Sequence, residues 1–218
     1  ITIEGEMKLS LRDSDVTISG DGATIPTPKG NISIANAGFI IGSNSDTEAV
    51  YEISGDLSGG IPALIAWARQ NQPDALKQAA LPFNPDVLSG QVSLGLVATI
   101  VTDKATNKPK SMDYVVNGTL QDLGTTSPID GHSLGKGELT FRVTQAGFNI
   151  GGSAELDGVA ADVAARGTMD PKKPDVVVTA KIDSGAFKKF GVDTSAFLDG
   201  PLTLAVKPMA DGSAQLVA

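Results

Sequence analysis

Between Gln91 and Val101 the even positions are Val92, Leu94, Leu96, Ala98 and Ile100, while Gln91, Ser93, Gly95 and Thr99 occupy odd ones. A two-residue period belongs to a β-strand whose two faces meet different surroundings. This is the clearest strand in the chain, and weaker versions recur. Apolar residues alternate through Met7, Leu9 and Leu11 and again at Val16 and Ile18, with Arg12-Asp-Ser-Asp15 between them as a hairpin turn. Further strands are expected at 32–34, 38–41, 49–53, 114–120, 137–143, 148–156, 159–166, 176–182 and 202–206, with 19–31 as a Gly- and Pro-containing loop. About a dozen strands at intervals of roughly 8 to 12 residues define an all-β pattern. The 25 Gly and 12 Pro, with only 5% aromatic residues, fit short strands joined by turns and not a helical bundle.

One segment breaks the pattern. Pro62 sits where a helix tolerates proline, and Leu64, Ile65, Trp67 and Ala68 follow at helical spacing. A principal helix is expected over about 61–79, interrupted or restarted at Pro73, and a short one over about 184–190. Asn84-Pro-Asp-Val-Leu-Ser-Gly90 leading into a strand is echoed by Thr194-Ser-Ala-Phe-Leu-Asp-Gly200 leading into another. Such self-similarity suggests units that complete each other's core. The expected fold is therefore mainly β: a strongly curved, mostly antiparallel sheet of repeated units forming a groove or open barrel. It divides into a first unit at 1–110 and a second at 111–218, together one continuous piece of a longer protein.

Composition removes several function classes. A net charge of −8 opposes the counterion displacement that nucleic-acid binding needs, so no nucleic-acid partner is expected. It likewise disfavours docking on anionic headgroups by charge alone. Without cysteine there is no disulfide, no thiolate nucleophile and no Cys-ligated metal. No run approaches the roughly 20 apolar residues of a membrane-spanning helix.

Candidate chemistry is sparse. His132 is the sole histidine, which rules out a two-His metal site and leaves a triad only one base. Gly131-His-Ser-Leu-Gly135-Lys136 lacks the spacing of a phosphate loop. Asp13, Asp15 and Asp21 lack the ligand order of a calcium loop. Glu155, Asp157 and Asp162 invite a paired-carboxylate reading, but Asp157-Gly158 is first a hairpin signal. No catalytic residue, metal or cofactor is expected. What stands out is an excess of one-sided apolar strands over the helix available to cover them, so either the sheet folds on itself or an apolar face stays open to a ligand.

Ile34-Ala-Asn-Ala-Gly-Phe-Ile-Ile41, Tyr51-Glu-Ile-Ser-Gly55, Ile61-Pro-Ala-Leu-Ile-Ala-Trp67, Leu81-Pro-Phe-Asn-Pro-Asp86 and Gly151-Gly-Ser-Ala-Glu-Leu-Asp-Gly158 occur in this order. Ala180-Lys-Ile-Asp183, Phe190-Gly-Val-Asp193 and Phe197-Leu-Asp-Gly-Pro-Leu202 follow. In these the chain resembles the AsmA-like family of bacterial envelope proteins, in its YhdP-type branch. The resemblance implies a non-enzymatic periplasmic segment of a protein anchored in the inner membrane by a part not included here. Its apolar β-groove would conduct phospholipid towards the outer membrane. Leu94, Leu96, Leu202, Leu204 and Val206 are the candidate groove positions, with core packing as their competing role, and Leu64 and Trp67 are candidates for a helix plug. Expected partners are phospholipid or another acyl-chain lipid and neighbouring units of the same longer chain. The alternative is an assembly module for outer-membrane biogenesis with a closed core and no groove.

Overall fold

The computed structural model of the chain describes residues 6–12, 15–71, 84–129, 131–168, 177–183, 185, 188, 193, 200–208 and 214–217. Among them the fold class is the expected one: strands dominate, and the strand order is a linear antiparallel path that does not close into a barrel. Contacts divide the chain into two units, residues 1–82, 91–118 and 143–145 forming one and residues 83–90, 119–142 and 146–218 the other.

The first unit contains β1 (Glu6–Arg12), β2 (Asp15–Asp21), β3 (Ala23–Thr27), β4 (Gly30–Ser45), β5 (Glu48–Gly60), α1 (Ile61–Asn71) and most of β6 (Leu88–Asp103). The β1–β2 hairpin pairs Arg12 with Asp15, as the turn signal predicts. Two expectations fail nearby. The segment 19–31 is not a loop, because β3 lies within it and pairs with β4 from Ala23↔Ile34 to Thr27↔Gly30. Pro26 fits there because β3 pairs with β4 alone, and an edge strand tolerates a missing donor. Nor are 32–34 and 38–41 separate strands; both belong to the 16-residue β4.

What joins them is a bulge. Against β5, Ala35 pairs with Asp56 and Gly38 with Ser54, so β4 spends one residue more than its partner. Asn36 sits there at a φ of 51°, a left-handed conformation that asparagine tolerates better than most residues. Its side-chain amide donates to the Asp56 carboxylate at 2.7 Å. An extra residue reverses which positions face inward, and the inward set changes from Ile32 and Ile34 to Ala37, Phe39 and Ile41.

Helix α1 packs against β3, β4 and β5. Ile61 and Ala63 are buried in it, as are Ile32 on β4 and Val92 on β6, which together mark the covered core. The Asn71 side chain donates to the Trp67 carbonyl at 2.9 Å, satisfying one of the acceptors a helix end leaves open. The continuation expected to residue 79 falls outside the described residues.

Strand β7 (Pro109–Thr125) is divided, with residues 109–118 in the first unit and 119–125 in the second. The second unit further contains β8 (Leu134–Thr144) apart from its last two residues, β9 (Gly147–Leu156), β10 (Val159–Thr168), β11 (Val177–Asp183), β12 (Pro201–Pro208) and β13 (Ala214–Val217). The Asp157-Gly158 signal reads true: both residues have positive φ, 51° and 73°, between Leu156 and Val159 of a β9–β10 hairpin. Gly152 also needs to be glycine, since a Cβ there would collide with the Glu138 carbonyl of β8. Strand β13 has no counterpart in the sequence reading. Most of the short helix expected at 184–190, and residues 194–199 of the echo, lie outside the described residues.

Candidate functional site: an apolar face with a cavity beside the bulge

Register places the apolar residues of the first unit in rows across one face. Leu9, Ile18, Phe39, Ile53 and Ala98 are successive cross-strand partners from β1 to β6. Leu11, Val16, Ile41, Tyr51 and Ile100 form the next row, in which the Phe39 and Tyr51 rings of neighbouring rows stack at 6.1 Å. On the other side of the bulge, Ala23, Ile34, Leu57 and Leu94 make a third row, and Ile25, Ile32, Gly59 and Val92 a fourth. Partners in an antiparallel ladder share a face, so the four rows form one apolar surface. It is buried near Ile32, at 1% exposure, and bare at the β1 edge, where Met7, Leu9 and Leu11 are 67%, 68% and 74% exposed.

Between these extremes lies a cavity of about 240 Å³. It sits where β2 stops pairing with β4 at Gly20↔Ala37 and β3 begins at Ala23↔Ile34, beside the bulge. Ile18, Ala23, Ile34, Ala37, Phe39 and Ile53 contribute its apolar wall. None of these six is among the groove or plug candidates named from sequence. Their signal is the phase change at Asn36, which is visible as an alternation that skips one position.

Of the groove candidates, Leu94 and Leu96 are half-buried on the apolar face of β6. Leu94 shares a row with the cavity residues Ile34 and Ala23, while Leu96 pairs with Gly55. Leu202, Leu204 and Val206 belong to the second unit, where they are register partners of Ile182, Ala180 and Val178 on β11. Those residues in turn pair with Ala161, Val163 and Ala165 on β10, so this unit also carries apolar rows. The plug candidates Leu64 and Trp67 are half-buried on α1, but neither lines the cavity. The Trp67 indole nitrogen is buried with no hydrogen-bond partner among the described residues.

Of the polar residues weighed for chemistry, His132, Asp157 and Glu155 make contacts between turns and strands, while Asp13 lies outside the described residues. His132 Nδ1 lies 2.7 Å from the Asp157 carboxylate, and the other oxygen of that carboxylate accepts the Ser133 backbone N–H at 2.8 Å. The pair ties His132 and Ser133 to the β9–β10 turn, and no hydroxyl is hydrogen-bonded to the other ring nitrogen among the described residues. Glu155 is bridged by Lys136 at 3.0 Å. In the first unit Lys110 bridges Glu48 at 3.0 Å and Asp103 at 3.6 Å. No cluster of three potential metal ligands occurs among the described residues.

These contacts contribute to the acid response. The Ser133 amide, and then His132, hold the Asp157 carboxyl below its ordinary value. Lys110 does the same for Glu48, seconded by Asn44, and the Thr106 amide and hydroxyl do so for Asp103. A carboxyl depressed by folding contributes stability above its unfolded pKa and loses it as pH falls through the folded value. The melting temperature is therefore expected to fall as pH drops below about 4, where free carboxyls protonate. Asp157→Asn, which keeps a turn-compatible residue, should make that fall shallower; an unchanged pH profile would show that the Asp157 carboxylate, held by the Ser133 amide and His132, carries none of it.

Fold and site together define an open antiparallel β-protein with a carbon-lined cavity on one face. None of the family models, curated proteins or solved structures compared with the chain matches it. Among the described residues no helix is long and apolar enough to cross a membrane.

Proposed function

We propose that the chain is a non-enzymatic lipid-handling segment that holds an acyl chain of phospholipid against the apolar face of its sheet. The observation that carries the reading is the cavity beside the bulge, carbon-lined and continuous with a face that runs bare to β1. Hydrocarbon gains about 0.8 kcal/mol per buried CH₂ and needs no polar partner, so such a wall suits it. The resemblance to AsmA-like proteins supports the same reading and brings with it a periplasmic setting between an inner-membrane anchor and the outer membrane. Neighbouring units of a longer chain would extend the surface that Met7, Leu9 and Leu11 begin. In the second unit the register aligns Leu202, Leu204 and Val206 with apolar positions of β11 and β10, which is compatible with the same role. An assembly module with a closed core would call for a filled face, and the cavity speaks against it.

Native mass spectrometry of protein purified without detergent, followed by lipid extraction, tests this. Phospholipid is expected to co-purify with the wild type, and Ile53→Glu, which sets a carboxylate in the cavity wall, should lower recovery by about tenfold. Repeated recovery of no lipid from the wild type would sink the proposal.

A further inference from the structure

The cavity has a definite size and a definite charge at its wall, and both narrow what it takes if the lipid-handling reading holds. A protein cavity of roughly 150 Å³ accommodates the six carbons of benzene. By proportion, about 240 Å³ accommodates about ten carbons. That is part of one acyl chain and too little for two. Among the described residues that line the cavity Asp21 is the only ionisable one, and none of them is a Lys, Arg or His that would receive a phosphate or carboxylate. One Asp21 carboxylate oxygen accepts the Asn36 backbone N–H at 3.4 Å, a long contact. An anionic end group brought to this wall meets like charge without a compensating donor of positive charge. We infer that the cavity takes a single unbranched hydrocarbon chain, reads about ten carbons of its length, and discriminates against a negatively charged end.

Titration calorimetry with 1-alkanols of about six to about fourteen carbons, and with the matching alkanoates at low ionic strength, tests this. Affinity should rise by up to about fourfold per methylene, the equivalent of full burial, and level off to a much shallower slope near ten carbons, where further carbons would lie on the open face. Ala37→Leu or Ala23→Leu, each adding three carbons to the wall, should move the plateau about three carbons shorter. Two substitutions at different points guard against one that disturbs folding, with an unchanged thermal melt as the control. Alkanoates should bind more weakly than alkanols of equal length, by a margin that shrinks with added salt and in Asp21→Asn. Binding that climbs steadily beyond ten carbons, or a plateau that neither alanine substitution moves, would overturn length reading while leaving lipid handling intact. An alkanoate deficit untouched by salt and by Asp21→Asn would overturn the charge discrimination. Absence of binding by every alkanol would overturn the lipid-handling reading itself.

Discussion

Ile32→Ala is expected to lower the free energy of unfolding by about 2–5 kcal/mol, the range for truncating a fully buried isoleucine. At 1% exposure Ile32 is the largest fully buried side chain among the described residues. It is positioned by three strands, pairing with Ile25 on β3 and Gly59 on β5, which itself pairs with Val92 on β6. The fit at Gly59 is close: a Cβ there would stand 3.4 Å from the Ile32 Cα and 3.0 Å from the Asn31 carbonyl oxygen. From Ile32 to Ala35 the pairing of β4 with β5 is continuous and α1 lies against these strands, so the hole left by three missing carbons has little means to collapse. A urea titration should show a lower midpoint with an unchanged slope. A loss under about 1 kcal/mol would mean that α1 and β3 to β6 do not form the stabilising core of the first unit.

The parts of this fold that were legible in sequence are those fixed by residues close together. The alternation of β6 is legible because its pairing with β5 runs without interruption from Gly60↔Gln91 to Glu48↔Asp103. The β9–β10 hairpin is legible because Asp157-Gly158 is a pair of neighbours that both tolerate the positive φ its two-residue turn requires. The start of α1 is legible from Pro62 and the spacing that follows. Features that depend on distant partners were not. Strand β3 looks like a loop because Gly22, Pro26, Pro28 and Gly30 punctuate it, and only β4 alongside makes it a strand. The full length of β4 was hidden for the opposite reason: its two halves are each strand-like but out of phase. The groove candidates came from regular alternation, on β6 and on its echo at 202–206, whereas the cavity formed where alternation fails. A bulge bends its strand and separates neighbours, so the sequence position that looks least regular is the one that opens space.

Deleting Asn36 is expected to abolish this arrangement, at a cost in stability of about 3–5 kcal/mol or more. Removing one residue restores an unbroken two-residue period along β4 and so forces a choice. If 30–35 keep their register, Ala37, Phe39 and Ile41 turn to the opposite face and lose their places in rows with Ile18, Val16, Ile53 and Tyr51. If 37–45 keep theirs, Ile32 and Ile34 turn away from Val92, Leu94 and the covered core instead. Either outcome exposes at least two large apolar side chains, each worth about 1.5–3 kcal/mol when fully buried, against a total stability of about 5–15 kcal/mol for a typical domain. The deletion should therefore melt at a far lower temperature or fail to accumulate as folded protein. Substitutions at the same position separate phase from conformation. Asn36→Gly retains the extra residue and tolerates φ of 51°, so it should stay close to the wild type apart from the lost amide contact with Asp56. Asn36→Val retains the residue but strains it, and should cost about 1–3 kcal/mol. The expected order of thermal stability is wild type and Asn36→Gly, then Asn36→Val, then the deletion. A deletion protein as stable as the wild type would show that the apolar face does not depend on the bulge, and with it would go the physical origin assigned to the cavity.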